Sequence, residues 1–78
     1  MFVRREGMII TEDSLKVLYR VYSSSPVAQI TLEYKNNKLF INIITYTEIE
    51  YNSFTDILSM IRKDFSRLVI VKNLPKEH

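Results

Sequence analysis

Glu48 and Glu50, two residues apart after a long apolar run, have the spacing of a carboxylate pair, the kind used in acid–base catalysis when one group holds a proton and the other gives it up. Their neighbours Thr47, Asn52 and Ser53 make a polar connection, so the pair reads as a solvated loop rather than a catalytic dyad. The sole histidine, His78, is the last residue, where no element can hold it for proton transfer. The chain has no cysteine and so no thiol nucleophile. Gly7 is its one glycine, too few for a phosphate-cradling loop. One histidine without cysteine also provides neither a structural zinc set nor a disulfide. The expectation is a non-catalytic chain with no cofactor and no metal.

The elements that must position any surface are organised around residues 27–46, two runs of β-formers joined by Lys35-Asn36-Asn37-Lys38. Asparagine tolerates the positive backbone dihedrals of a two-residue hairpin loop, so Asn36-Asn37 predicts a tight turn. With Lys35 opposite Lys38, one face carries the pairs Tyr34 with Leu39, Leu32 with Ile41, Ile30 with Ile43, and Ala28 with Thr45. The other face carries Glu33 with Phe40, Thr31 with Asn42, Gln29 with Ile44, and Val27 with Tyr46. The first set is almost wholly apolar and the second mixed, the pattern of a sheet covered on one side.

Residues 2–10 predict a first strand, interrupted or bulged near Gly7. Thr11 offers an N-cap hydroxyl, Glu12 and Asp13 supply first-turn acidity, and Leu15, Leu18, Tyr19 and Tyr22 recur at helical spacing. Together these predict a helix over residues 12–22, with Val17 and Val21 on its flank. Ser23-Ser24-Ser25-Pro26 would end it. Ser53-Phe54-Thr55-Asp56 has the form of a capping box. Behind it Phe54, Ile57, Leu58, Ile61, Phe65, Leu68 and Val69 mark an amphipathic helix, with Asp56, Ser59 and Lys63 opposite. Leu68, Val69, Ile70 and Val71 admit two readings. A continuing helix gives an α+β domain with a three-stranded antiparallel sheet and two helices on one face (βαββα); a fourth strand there gives the ferredoxin-like βαββαβ. Asn73-Leu74-Pro75 closes the domain, leaving Lys76-Glu77-His78 as a tail.

Seventy-eight residues make a single domain, residues 1–78, small enough to be marginal in stability. With no disulfide or metal available, a partner subunit is the remaining common remedy. The amino terminus lacks the apolar segment of a secretory signal, and the absence of cysteine fits a cytoplasmic setting. No membrane partner is expected. A net charge of +2 with scattered Lys and Arg is not the footprint of a dedicated nucleic-acid binder.

Two stretches resemble a known family. Residues 8–26 hold Met8-Ile9-Ile10, the acidic turn Thr11-Glu12-Asp13, Tyr19 and Tyr22, and a closing Ser25-Pro26. This is similar to the strand, turn and Tyr-containing helix of the small dimerisation subunit of the KEOPS complex. Residues 27–43 resemble that family's second and third strands, including Asn37-Lys38-Leu39 after the turn. The last helix departs from the family, with Thr55 where an arginine would fall and Ser59-Met60-Ile61 in place of an Asn-Ser-Tyr phrase. The resemblance is therefore that of a divergent paralogue of the dimerisation subunit. It implies an accessory, non-catalytic role in forming threonylcarbamoyl-adenosine in tRNA, a long helix over residues 54–69, and contact with tRNA at most indirectly.

The residue pattern and the resemblance meet on one expectation: the free edge of the sheet pairs with another small subunit, as a homodimer or heterodimer. Val3 and Ile9 on the first strand would carry that edge. Val17, Val21 and Met60 on helix faces would meet further subunits, among them the KEOPS catalytic subunit. The rival expectation is a self-standing ferredoxin-like module that regulates a partner or binds nucleic acid, with Phe40 and Tyr46 stacking on bases.

Overall fold

A computed structural model describes residues 1–72. Four strands, β1 (Phe2–Ile10), β2 (Ser14–Tyr22), β3 (Pro26–Lys35) and β4 (Lys38–Thr45), precede one helix, α1 (Tyr51–Val71). All neighbours are antiparallel and the sheet order is β1-β2-β3-β4, a meander. Among the described residues there are four strands and one helix, not the expected three strands and two helices. The expectations for Asn73-Leu74-Pro75 and for the Lys76-Glu77-His78 tail lie outside the described residues.

The β3–β4 hairpin has the register that its sequence predicts, from Lys35 opposite Lys38 to Ala28 opposite Thr45. Asn36 and Asn37 take φ of 52° and 61°, the left-handed pair that a two-residue loop of this type requires. Its side chains divide between the faces as the alternation demands.

The predicted helix over residues 12–22 is instead strand β2. Leu15, Val17, Tyr19 and Val21 alternate with Lys16, Leu18, Arg20 and Tyr22, and the first four are the buried set. Two periods coincide here, since Leu15 and Tyr19 satisfy both the helical and the strand pattern. Pairing on both sides decides between them, with β1 along one edge of β2 and β3 along the other. Thr11 caps no helix: its amide donates to the Ser14 carbonyl, and its hydroxyl bonds Asp13 and Ser14 within the β1–β2 turn. Ser23-Ser24-Ser25 is likewise a hairpin turn, not a helix end.

Strand β1 is bulged near Gly7, as predicted, because its pairing with β2 shifts by one residue between Arg5 and Gly7. Glu6 is the extra residue. The bulge directs its carboxylate toward Arg20 at 2.9 Å and toward the Tyr22 hydroxyl.

Helix α1 continues through Leu68, Val69, Ile70 and Val71, which excludes a strand at those residues and with it the ferredoxin-like topology. It buries Ile57, Ile61, Phe65, Leu68 and Val69, while Asp56, Ser59 and Lys63 face solvent. Ile70 and Val71, the two residues off the apolar stripe, are exposed. The helix begins at Tyr51, earlier than the capping-box motif indicates. Glu50 occupies the N-cap, and Ser53 donates to its carboxylate rather than serving as the cap itself. The core lies between this stripe and the Leu15, Val17, Tyr19, Val21, Ala28, Ile30 and Leu32 side chains of β2 and β3.

Candidate interaction surface

The two outer strands of the sheet differ in chemistry. On β1 the edge carries Arg4, Arg5 and Glu6 and is broken by the bulge, two devices that discourage another strand from adding. From Leu39 to Thr45, β4 has no charge, no proline and no bulge. Every residue of β4 is exposed, although Leu39, Phe40, Ile41, Ile43 and Ile44 are all large and apolar. Tyr46 continues the series just beyond the strand. A long, flat, apolar edge with unpaired backbone groups is the form that pairs with a further strand.

The backbone pattern shows which groups are available. The Tyr46 amide donates to the Val27 carbonyl at 2.9 Å. Antiparallel bonding alternates, so Lys38, Phe40, Asn42 and Ile44 also bond inward to β3. Leu39, Ile41, Ile43 and Thr45 therefore turn their N–H and C=O groups outward, and no strand among the described residues lies beyond them.

Helix α1 does not reach over β4. Between them runs a groove of about 580 Å³, floored by Ile30, Leu32, Leu39, Ile41 and Ile43 and walled by Leu58, Phe65, Val69 and Ile70 of the helix. The groove thus opens beside the same strand whose backbone edge is unpaired. On the opposite, open face of the sheet, Phe40, Asn42, Ile44 and Tyr46 line up along β4. At the far side of that face Phe2 stacks on Tyr22 with ring centroids 5.3 Å apart, and the Arg4 guanidinium lies 5.9 Å from the Tyr22 ring centroid.

The residues predicted to contact partners are scattered. Val3 and Met60 come together at a cleft of about 230 Å³ between β1 and α1, shared with Arg5, Tyr19 and Asp64. Ile9 is exposed on the open face of β1, away from that cleft. Val17 and Val21 are fully buried beneath α1, because β2 turns them inward as core residues. They are not available to a partner, which corrects their placement on a helix flank. The cleft itself is polar and structural: Asp64 accepts from the Tyr19 hydroxyl at 2.7 Å and pairs with Arg5 at 3.2 Å and Arg67 at 2.7 Å. Burial pushes the Tyr19 phenol well above its ordinary range, and the bond to Asp64 adds to this, so its hydroxyl stays protonated as a donor rather than a nucleophile.

Glu48 and Glu50 are both exposed, and Glu50 is occupied at the helix start. Among the described residues no group of three or more Asp or Glu side chains gathers to hold a metal. No helix among them is long and apolar enough to cross a membrane. Sequence reasoning missed Leu39, Ile41 and Ile43 as surface residues, having assigned them to a covered face. The available signal was the uncharged run from Leu39 to Tyr46, apolar on both faces of a strand with no strand after it.

No family model, curated protein or solved structure matches the chain.

Proposed function

We propose that this chain is a non-catalytic interaction subunit that pairs through its β4 edge with a second small subunit. The observation that carries the reading is the contrast between the two edges: β1 is charged and bulged, whereas β4 from Leu39 onward is uncharged, unbulged, largely apolar on both faces and flanked by an open apolar groove. Pairing there would satisfy the outward backbone groups and cover side chains that water otherwise meets. The candidate edge thus moves from Val3 and Ile9 to Leu39, Ile41, Ile43 and Thr45.

The KEOPS accessory role, in a cytoplasmic setting, is the specific assembly that the sequence resemblance brings to this proposal. The geometry supports the pairing but gives that assembly no added support, since the helix quoted for it is strand β2. The test is native mass spectrometry of the chain, alone and mixed with KEOPS dimerisation and catalytic subunits, with an Ile41→Pro variant alongside. Proline at this outward-facing amide leaves the ladder to β3 intact but blocks an added strand. Complexes formed by the wild type and lost in the variant are expected. Complexes that survive the proline would overturn the β4 reading, and a chain that binds neither KEOPS subunit in the mixture would remove that assembly from it.

A second reading places single-stranded nucleic acid on the open face, because Phe40 and Tyr46 are both exposed there. That face carries Arg4, Lys16, Arg20, Lys35 and Lys38 against Glu6 and Glu33, although Arg20 is already engaged by Glu6 and Gln29. A salt series of gel shifts decides: binding that weakens steeply with salt would favour it.

A further inference from the structure

We infer that the occupant of the β4 edge is a second copy of this chain, paired antiparallel about a two-fold axis through Asn42; this rests on the edge-pairing reading above. In such a pair each residue faces a partner at a fixed sum of residue numbers, and facing side chains must lie on the same side of the sheet. That restricts the axis to a residue position, and the middle of β4 offers Ile41, Asn42 and Ile43. With the axis at Ile41, outward-facing Thr45 falls opposite Asn37 of the second copy, in its turn. With the axis at Ile43, Leu39 falls opposite Thr47 of the second copy, beyond its strand. With the axis at Asn42, Leu39 meets Thr45 and Ile41 meets Ile43, and reciprocally. Every outward N–H and C=O of these four residues is then satisfied on both copies.

The side chains agree with that register. On the open face Phe40 meets Ile44 of the second copy, Asn42 meets its own equivalent amide to amide, and the Lys38 ammonium meets the Tyr46 ring. On the helix side Ile41 against Ile43 carries the apolar floor of one groove across the seam into the other. No like charges are opposed, and no apolar residue faces Asn42. The strand is complementary to itself, which a surface shaped for an unlike partner need not be.

The protein has no cysteine, so single cysteines report the register cleanly. Asn42 would be a non-hydrogen-bonded pair with Cα atoms about 4.5 Å apart, within disulfide reach. Asn42→Cys is expected to form a covalent dimer on mild oxidation. Phe40→Cys and Ile44→Cys are expected to stay uncrosslinked alone and to crosslink when mixed. Sedimentation of the wild type should give a dimer, with the amides of Leu39, Ile41, Ile43 and Thr45 protected from hydrogen exchange, a readout that needs no variant. A dimer that crosslinks through Phe40→Cys alone but not through Asn42→Cys overturns this register and leaves edge pairing standing. A wild-type monomer at high micromolar concentration overturns the second copy, and the mixing experiment then decides whether β4 pairs with a different subunit. A dimer whose outward β4 amides exchange freely overturns both.

Discussion

The Tyr19 hydroxyl donates a 2.7 Å hydrogen bond to Oδ2 of Asp64, joining the middle of β2 to the third turn from the end of α1. Arg5 from β1 and Arg67 from the helix hold the other sides of the same carboxylate. One acidic side chain therefore ties two strands to the helix that covers them. Removing it with Asp64→Ala leaves the buried Tyr19 phenol without its acceptor and should cost about 1–3 kcal/mol. Tyr19→Phe, which keeps the packing and leaves Asp64 its two arginines, should cost about 1 kcal/mol. Urea unfolding of both variants and the double variant measures the coupling directly.

The same pair sets a dependence on pH. Burial pushes the Asp64 carboxyl up, but the Tyr19 hydroxyl and the Arg67 guanidinium together outweigh it and hold the group below its ordinary value of 3.8. A depressed carboxyl contributes stability above its unfolded value that is lost as pH falls through the folded one, so the loss should fall below about pH 4. Tyr19 has the opposite sign. Its raised value means the folded state holds the proton more tightly, and its contribution is present below about pH 10 and lost as pH climbs above that. In melting temperatures followed against pH, Asp64→Asn should flatten the acid limb and Tyr19→Phe the alkaline one.

Gly7 marks the bulge without needing a glycine's freedom. Its φ is not positive, and an added Cβ would lie 3.5 Å from the Leu18 Cβ, an ordinary contact. Gly7→Ala should therefore be tolerated and raise stability by about 0.4–1 kcal/mol, by narrowing the unfolded ensemble. Thermal unfolding checks this.

At the β3–β4 turn the outcome should reverse. Asn37 sits at φ 61°, where a β-branched side chain is strained, so Asn37→Val should cost about 1–2 kcal/mol. Asn37→Gly keeps the turn geometry and gives up the bond that Asn37 accepts from the Tyr34 hydroxyl, so it should cost less than Asn37→Val. Chemical denaturation of the two variants side by side separates them.

Neighbouring helix residues should respond differently to truncation. Ile61 is buried against the sheet, and Ile61→Ala should cost about 2–5 kcal/mol. Met60 is half exposed at the rim of the β1 cleft, and Met60→Ala should stay within about 0.5 kcal/mol and leave self-association unchanged. A large loss of self-association on truncating Met60 would return the interface to the β1 side.

The parts of this fold readable in the sequence are those decided by near neighbours. Asn36-Asn37 fixes its own turn, and the register of β3 with β4 follows from it by counting. The stripe from Ile57 to Val69 needs only its own period. Strand β2 fails this test because Leu15 and Tyr19 fit two periods at once, and the choice rests with β1 and β3, far away in the chain. The exposure of β4 is hidden from the sequence for a related reason. Whether Ile41 and Ile43 are core or surface depends on how far α1 reaches across the sheet, which their own spacing does not encode. Val17 and Val21 were misplaced by the same error that made β2 a helix.

The bulge at Glu6 has a consequence for how far assembly can go. A sheet with two receptive margins can recruit neighbours on both sides and grow without limit, as fibres do. Here the inserted residue and the charges around it blunt one margin, so a chain joined through the other presents only blunted margins to newcomers. If β4 pairs as proposed, growth would end after a single step, because the irregularity in β1 leaves the assembly no second receptive margin.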